Sequence, residues 1–327
     1  MELMDSAYDI IGDVHGQADA LAALLGQMGY QERNGTWRHS SRRAIFVGDF
    51  VDRGPKQVDA VRIVQRMVDA GSALAVMGNH DFNAIAWYLP DPANPGDYLR
   101  PHFDGENGKK NRQQHAIFLG EVEDRPSRHK EIIEWLLSLP LWLDLPELRI
   151  IHACWHTQFM EYLGPRLLPG ALLSAELMQA ATQEPELEAE KDSPEPSMFK
   201  AVDMLIKGME VPLPGGRSFT DKSGLPRSRA RVRWWASGPI TYRKATLLEG
   251  SLREQLPDLP IPRELPTCQV TDKPTFIGHY SLAGPPHLLL PQIACVDYGA
   301  GHHGPLCAYR WDGETTLTAN HFCLAQT

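Results

Sequence analysis

The chain has 327 residues, a hydrophobic content of 43%, a charged content of 22% and a formal net charge of −9. This composition is typical of a globular protein with a sizeable core and excludes a globally disordered chain. The acidic charge disfavours general binding to nucleic acid or to anionic membranes, and no run of about 18 uncharged apolar residues indicates a membrane span.

The five cysteines form no Cys-x-x-Cys pair, so the sequence predicts neither a zinc ribbon nor a disulfide framework. Residues 1–7 contain two acidic residues and no apolar signal region. We therefore expect a cytoplasmic protein with reduced thiols. The length fits one elaborated domain over residues 1–327, with insertions at about 90–128 and 159–235.

Five short apolar runs are each followed by glycine or a polar residue, which predicts buried strands. They cover residues 8–11, 44–47, 73–77, 148–151 and 275–277. Apolar residues at helical spacing predict helices over residues 21–28 and 58–68, after the first and second of these strands. Two successive strand–helix units predict a parallel stretch of sheet with polar loops at its carboxyl edge.

Residues 90–128 are rich in Pro, Gly, Asn and charge, so we expect a long, exposed loop or small insertion there. A short buried helix is predicted over 131–139, and a solvated loop over 183–197. Near the end, residues 288–296, 306–311 and 315–317 are expected to be strands, with a hairpin turn at Asp312-Gly313. Parallel units followed by an antiparallel end predict a mixed β-sandwich.

Polar residues follow each predicted strand of the site. Asp13 and His15 are two residues apart, so an extended backbone would direct both to one side, where they could hold one ion. Asp49 follows the next strand, and its two oxygens could bridge two ions about 3.5–4 Å apart. Asn79 adds a neutral oxygen, and His152 and His279 complete a mixed nitrogen and oxygen set. Such a set suits Mn²⁺, Fe or Zn²⁺ better than Ca²⁺.

Three further residues can handle the proton and the phosphate. His80 follows the ligand Asn79 and could protonate a leaving group, oriented by either Asp52 or Asp81. Arg53 offers paired donors for the non-bridging oxygens of a phosphate. His156, His302 and His303 are additional candidates for substrate contact.

These motifs together resemble the calcineurin-like metallophosphoesterases, in the phosphoprotein-phosphatase (Ser/Thr phosphatase-like) branch of bacterial type. The motifs are Gly-Asp-x-His-Gly at 12–16, Gly-Asp-x-x-Asp-Arg-Gly at 48–54, Gly-Asn-His-Asp at 78–81, His-Ala at 152–153 and Gly-His at 278–279. The resemblance implies a four-layer αββα fold, with two central mixed β-sheets flanked by helices and a dinuclear centre at the sheet edge.

The resemblance also implies a role for each site residue. Asp13, His15 and Asp49 would hold one divalent ion, and Asp49, Asn79, His152 and His279 the other. Mn²⁺ is the expected metal, with Fe and Zn²⁺ as alternatives. His80 with Asp52 would be the acid pair, and Arg53 a phosphate contact.

We expect hydrolysis of a phosphomonoester, on a phosphorylated substrate of unknown class, by attack of a metal-bridging hydroxide. The alternative is a dinucleoside polyphosphate hydrolase of the diadenosine tetraphosphatase type. A phosphatase acting on nucleic-acid ends is disfavoured by the net charge of −9. A hypothesis of a different functional class is a metal-binding regulatory protein without turnover. The presence of His80 argues against it, because a binding site needs no proton donor.

The second arginine motif of the eukaryotic members is not visible, but arginines alternate at positions 227, 229, 231 and 233, before Trp234-Trp235. On an extended segment they would line one face. This pattern has two interpretations: a charged edge strand that prevents aggregation, or a basic stripe for phosphates and bases in which Arg231 or Arg233 contacts the substrate.

Overall fold

The computed structural model of the protein describes residues 7–103, 105–220, 226–236, 241–248, 250–261 and 272–326. The strands of these residues, in chain order, are β1 (Tyr8–Ile11), β2 (Gln31–Arg33), β3 (Thr36–Arg38), β4 (Arg43–Phe46), β5 (Ala73–Ala75), β6 (Trp142–Asp144), β7 (Arg149–Ile151), β8 (Glu210–Pro212), β9 (Phe219–Thr220), β10 (Pro226–Arg227), β11 (Arg229–Arg231), β12 (Thr275–Ile277), β13 (Leu288–Leu290), β14 (Ile293–Cys295), β15 (Cys307–Trp311) and β16 (Phe322–Leu324). The α-helices are α1 (Ala18–Gln27), α2 (Gln57–Asp69), α3 (Asn79–Tyr88), α4 (Gly105–Val122), α5 (Pro126–Leu137), α6 (Thr157–Leu163), α7 (Ala175–Thr182), α8 (Glu188–Asp192), α9 (Met198–Lys207), α10 (Tyr242–Ala245) and α11 (Gly250–Glu254).

Two five-stranded mixed sheets form the centre of the molecule. The first has the strand order β16-β15-β1-β4-β5, in which β1, β4 and β5 are parallel to one another. Strand β15 pairs antiparallel with β1, and β16 pairs antiparallel with β15. The second has the order β13-β14-β12-β7-β6, in which β14, β12 and β7 are parallel and the two edge strands are antiparallel. The parallel strands of the first sheet therefore extend from its centre to the edge strand β5, and those of the second sheet lie at its centre.

Alternate residues along the strands explain how the layers stack. Ile10 and Ile45 of the first sheet belong to one apolar cluster with Ile150 and Phe276 of the second sheet. Their neighbours on the opposite face, such as Phe46, pack in a cluster that includes residues of the flanking helices. Because successive side chains of a strand point to opposite faces, each sheet has one face on its partner and one on helices. The predicted αββα sandwich is confirmed.

The strands and helices before the site lie where the sequence places them. The predicted strands at 8–11 and 275–277 have the same bounds in the structure, and the helices at 21–28 and 58–68 correspond to α1 and α2. Near the end, the predicted strand at 315–317 is wrong. The partner of β15 is β16, and the connection between them is longer than an Asp312-Gly313 hairpin turn.

The predicted exposed loop at 90–128 is also wrong over most of its length. Residues 105–122 form α4, which packs on α2 and α5. Its buried side chains include His115, Phe118, Leu119 and Val122. Their spacing is that of a helical face, so a narrow apolar stripe anchors an otherwise polar helix.

The second insertion contains several short elements. The Glu- and Pro-rich stretch at 183–197 holds the five-residue helix α8, which has no buried residue, so the prediction of a solvated segment is correct apart from this short helix. A separate small core forms around Met209, Val211 and Val232. The cysteines at 154, 295, 307 and 323 form no disulfide bond within the described residues, and Cys268 lies outside these residues. None of the helices in the described ranges has the length and apolar character needed to cross a lipid bilayer.

Candidate metal centre

Six side chains meet at the edge of the sandwich where parallel strands of both sheets end. The segments after β1, β4 and β5 supply four of them, and those after β7 and β12 supply two. All six are buried, with at most 8% of any residue exposed. They are the six predicted metal ligands, Asp13, His15, Asp49, Asn79, His152 and His279.

Asp49 occupies the centre of the group. Its Oδ2 atom lies 3.5 Å from His15 Nε2, and its Oδ1 atom lies 3.4 Å from His152 Nε2. Among the described residues, two sets of side chains have ligand atoms within 4.8 Å of one another: Asp49 with His15 and His80, and Asp49 with Asp13 and His152. A carboxylate that belongs to both sets has the placement of a ligand bridging two ions.

Asn79 and His279 complete the group on the side of the second sheet. The Oδ1 atom of Asn79 lies 2.7 Å from His279 Nδ1 and 3.1 Å from His152 Nε2. The backbone N–H of His279 donates to Asp13, with an N to Oδ2 distance of 3.1 Å. A Cβ atom at Gly278 would lie 2.1 Å from Asp13 Oδ1, so only glycine lets the backbone approach this carboxylate.

The surroundings of His152 test whether a cation fits. Its Nδ1 donates to the carbonyl oxygen of Val47 at 2.7 Å, so a neutral ring has its bare Nε2 towards two acceptor oxygens, on Asp49 and Asn79. Burial would lower the pKa of His152, but the carboxylates of Asp49 and Asp13 raise it to about 10. Either a second proton or a cation would relieve this crowding of acceptors, and a divalent ion is the alternative that a neutral imidazole ligand permits.

The other two histidines also have a nitrogen that is available to a metal. His15 donates from Nδ1 to the carbonyl oxygen of Val51 at 2.9 Å, which leaves Nε2 directed at Asp49. Burial lowers the pKa of His15 to about 3, so its imidazole is neutral, as a metal ligand must be. The Nε2 atom of His279 is buried and has no hydrogen-bond partner in the part of the chain that the structure describes.

The buried carboxylates indicate that positive charge belongs here. Burial, Asp297 and Asp49 raise the pKa of Asp13 well above its ordinary value. Burial alone would also raise the pKa of Asp49, but the His152 and His80 imidazoles hold it well below the ordinary range. The raised pKa of Asp13 means that its ionised form at this depth needs a compensating cation. The donor set therefore fits divalent metal ions.

Several site residues have a strained backbone. The φ angle is positive at His15 (44°), Asp49 (55°), Asp52 (70°), Arg53 (74°) and His279 (69°). None of these is glycine, and this conformation costs on the order of 1–3 kcal/mol per residue. The surrounding fold stabilises this strained backbone, and the strained turns direct the side chains of adjacent loops to one point.

His80 and Asp52 form a hydrogen-bonded pair beside the ligands. His80 Nδ1 lies 2.6 Å from Asp52 Oδ2, and Asp52 is fully buried. Arg53 Nη2 lies 3.1 Å from His80 Nε2, so the guanidinium donates to the nitrogen on the far side of the ring. The other terminal guanidinium nitrogen of Arg53, Nη1, lies 2.6 Å from His302 Nε2. The arginine is thus aimed between two imidazoles at the mouth of the site.

Asp81, the alternative partner for His80, has another place. Its carboxylate accepts from the backbone N–H groups of Asp49, Phe50 and Gly78 at 2.8, 2.9 and 3.0 Å. Burial and the neighbouring Asp49 raise the pKa of Asp81 above its ordinary value despite these donors. Asp81 therefore shapes the loop that carries Asp49, and Asp52 is the residue that orients His80.

The additional histidine candidates lie apart in the structure. His302 contacts Arg53, as described above, and His303 is exposed. His156 is buried, stacks on Phe159 with ring centroids 4.4 Å apart, and accepts from the Phe159 backbone N–H. It caps α6, so it is a structural residue.

The arginine stripe is partly explained by ion pairs. Arg229 Nη2 lies 2.6 Å from Asp192, and Arg231 Nε lies 3.8 Å from Glu210. Ala230 and Val232 are buried on the opposite face, so the alternation is real. After burial, the charge of Arg231 is the largest influence that lowers the pKa of His279, which indicates that Arg231 is near the metal centre.

The tryptophan pair does not offer a surface for bases. Trp234 and Trp235 expose 4% and 5% of their surfaces. Trp234 Nε1 donates to the carbonyl oxygen of Ala153 at 3.0 Å, and Trp235 packs on Tyr280 with ring centroids 5.1 Å apart. Because both indoles belong to the core behind the histidine ligands, the idea that they stack on nucleobases is wrong.

Two residues of α4 at the site were missed by sequence reasoning. His115 Nδ1 lies 2.9 Å from Asp52 Oδ1, and Gln114 Nε2 lies 3.3 Å from Asp52 Oδ2. Both fall in the segment that its polar composition presents as a loop. The signal that could have found them is the spacing of His115 with Phe118, Leu119 and Val122, which is that of one helical face.

Comparison with known proteins finds a family model that matches the first part of the chain. Residues 8–157 match the family model described as calcineurin-like phosphoesterase. This range holds five of the six candidate ligands together with His80, Asp52 and Arg53. The remaining ligand, His279, lies beyond the matched range.

Curated relatives match part of this sequence, and solved structures can be superposed on this fold. The asymmetrical bis(5'-nucleosyl)-tetraphosphatase PrpE of Oceanobacillus iheyensis is 48% identical over 163 residues, which cover 47% of this chain and 57% of that protein. The symmetrical bis(5'-nucleosyl)-tetraphosphatase of Vibrio vulnificus is 30% identical over 146 residues, covering 44% of this chain and 43% of that protein. The matches thus span about half the length of these relatives. A cold-active protein tyrosine phosphatase of a psychrophilic Shewanella species is 17% identical, covers 98% of this chain and 81% of that chain, and has a TM-score of 0.47.

Proposed function

We propose, because residues 8–157 match the family model described as calcineurin-like phosphoesterase, that the chain is a divalent-metal-dependent phosphoesterase. The observation that carries this proposal is the position of Asp49, shared by two groups of ligand atoms, beside a buried His80–Asp52 pair. When bound, two divalent ions would polarise a phosphoryl group and activate a water molecule. Mn²⁺ is our first choice, with Fe and Zn²⁺ as alternatives.

The chain's own residues supply the remaining functions. Asp13, His15 and Asp49 would hold one ion, and Asp49, Asn79, His152 and His279 the other. When both ring nitrogens carry a proton and Arg53 has turned away, His80 would deliver the Nε2 proton to the leaving oxygen and keep the Nδ1 proton on its hydrogen bond to Asp52. Arg53 would exchange its contacts with His80 and His302 for the non-bridging oxygens of the phosphate.

Arg231 is the better of the two candidates for a second phosphate contact. Its side chain is 41% exposed, its ion pair with Glu210 is long at 3.8 Å, and its positive charge lowers the pKa of His279. The long, loosely held ion pair would let the guanidinium turn towards a bound anion at little cost. Arg233 remains a candidate on its alternation with Arg231 alone.

The substrate class has two candidates. A phosphomonoester is our first proposal, since the site residues require only one phosphoryl group between the metals, Arg53 and His80. A dinucleoside polyphosphate is the second, favoured by the relatives named for bis(5'-nucleosyl)-tetraphosphate hydrolysis. The burial of Trp234 and Trp235 removes one place where the bases of such a substrate could have stacked.

The test is hydrolysis by protein reconstituted with Mn²⁺, over p-nitrophenyl phosphate, a phosphopeptide, mononucleotides and diadenosine tetraphosphate. Asp49→Asn should abolish turnover of every substrate that the wild type cleaves, because one change weakens both ion sites. The matched control is Asp69→Asn, an exposed carboxylate at the end of α2, which should leave the rates unchanged. Wild-type protein that binds Mn²⁺ but hydrolyses none of the panel would support a regulatory metal-binding protein and end the enzyme proposal.

A further inference from the structure

Asp52 is held from two directions by imidazole rings. Its Oδ2 lies 2.6 Å from His80 Nδ1, and its Oδ1 lies 2.9 Å from His115 Nδ1. The side chains of Asp52 and His115 are completely buried. A carboxylate with a separate ring donor on each oxygen cannot rotate without breaking at least one hydrogen bond.

The protonation of His115 follows from its surroundings. Burial lowers the pKa of His115, while the two neighbouring imidazoles hold the pKa of buried Asp52 below its ordinary value against its own burial. An ionised carboxylate only accepts, so the single proton of neutral His115 must be on Nδ1. Its Nε2 is buried with no hydrogen-bond partner among the described residues, and the ring lies near Trp87, with ring centroids 6.0 Å apart.

Gln114 strengthens the same arrangement from the adjacent position. Its Nε2 lies 3.3 Å from Asp52 Oδ2, and its Oε1 accepts from Arg100 Nη2 at 2.6 Å. The Arg100 contact fixes which end of the amide faces Asp52. The equal distance from Gln114 Nε2 to His80 Nδ1 joins two donors and is therefore proximity only.

The helix that carries these residues is itself anchored beside the site. Both carboxylate oxygens of Glu121 accept from the first backbone N–H groups of α2, at Gln57 and Val58, at 2.8 and 2.9 Å. The α2 helix begins directly after the loop that holds Asp52 and Arg53. Thus α4 contacts the loop through Gln114 and His115, and the start of α2 through Glu121.

We propose that His115, assisted by Gln114, is a positioning residue that fixes the Asp52 carboxylate and thereby aims His80 at the leaving group. This role rests on the proposed phosphoesterase function, with His80 as its proton donor. His115 touches neither the metal ligands nor Arg53 in the described contacts. Its loss should therefore affect proton delivery, and leave metal binding and substrate binding intact.

The experiment compares two substrates of Mn²⁺-reconstituted protein that differ in their leaving groups. p-Nitrophenyl phosphate releases a stable phenolate and needs little protonation, while phenyl phosphate releases a poor leaving group and needs the acid. For His115→Ala we expect kcat on phenyl phosphate to fall about 10- to 100-fold, as loss of a supporting hydrogen bond typically does. On p-nitrophenyl phosphate the loss should be only a few-fold, and KM should be unchanged for both.

Two variants extend the test. His115→Asn places an amide N–H near the position of Nδ1 and should restore most of the lost rate. Gln114→Leu, at a half-buried site, should show a weaker loss with the same leaving-group dependence, and it provides the test should His115→Ala fail to fold. The control is His129→Ala, which removes a ring packed on Phe118 of α4 and should show no leaving-group dependence.

The outcomes separate this proposal from the enzyme proposal. His80→Ala should show the largest leaving-group dependence of all. If His80→Ala shows that dependence while His115→Ala lowers both rates equally, His115 is merely structural and the positioning role is overturned. If His80→Ala shows no such dependence, His80 is not the proton donor, and its assigned role in the proposed function fails together with that of His115.

Discussion

Glu121 provides the sharpest test of how α4 is attached to the molecule. Its two oxygens cap the N-terminus of α2 through the backbone N–H groups of Gln57 and Val58. A hydrogen bond to a charged group contributes about 1.5–3 kcal/mol, and loss of a helix cap typically costs about 0.5–2 kcal/mol. Because the site is half-buried, we expect Glu121→Ala to lower the free energy of unfolding by about 2–3 kcal/mol.

The measurement is urea unfolding of the metal-chelated protein, followed by circular dichroism. Glu123→Ala is the matched control, since Glu123 lies two residues away and forms an ion pair with Arg112. The Glu123 side chain is 43% exposed and the Arg112 side chain is 57% exposed. An exposed pair of this kind contributes less than about 1 kcal/mol, so the control should unfold nearly as the wild type does. Equal midpoints for the two variants, at an unchanged m-value, would refute the idea that this cap anchors α4.

Two more predictions concern close packing and pH. Gly278→Ala would place a Cβ atom 2.1 Å from Asp13 Oδ1, so we expect Mn²⁺ affinity measured by calorimetry to fall at least about tenfold, whereas Gly120→Ala, with open space around it, should not change it. Burial lowers the pKa of His129 from 6.5 to about 4, so the unfolded chain binds the extra proton between these values and the free energy of unfolding should fall as the pH drops from about 6.5 to 4. His129→Phe should remove about 1–2 kcal/mol of this pH dependence in chelated protein, after allowance for solvent screening of a half-buried ring; an identical pH profile in the variant would contradict it.

Local sequence patterns were enough for the elements that carry the ligands. The strands at 8–11 and 275–277 are short apolar runs ended by glycine. Both signals, an apolar run that is buried and a glycine that ends it, lie within a few residues of sequence. The ligand types of Asp13, His15 and Asp49 are also local. Their order along strand ends predicted that they would converge, because parallel strands share a carboxyl edge.

Longer-range features could not be predicted in this way. The helix α4 is polar apart from one narrow stripe, and its stability depends on packing against α2 and α5, which no local propensity reports. The end of the first sheet failed for a similar reason. Residues 315–317 have strand-forming residues, but the position beside β15 is filled by β16 five residues later.

The two parts of the site have different mechanical supports, and this has a consequence for how substitutions act. The candidate metal ligands lie on the ends of strands from both sheets, so their positions depend on the sandwich core. The His80–Asp52 pair depends in addition on α4, through His115 on one Asp52 oxygen. We therefore expect changes in the packing of α4 to alter the proposed proton delivery by His80 without moving the candidate ligands. We also expect that some substitutions in α4 lower turnover while metal affinity stays constant.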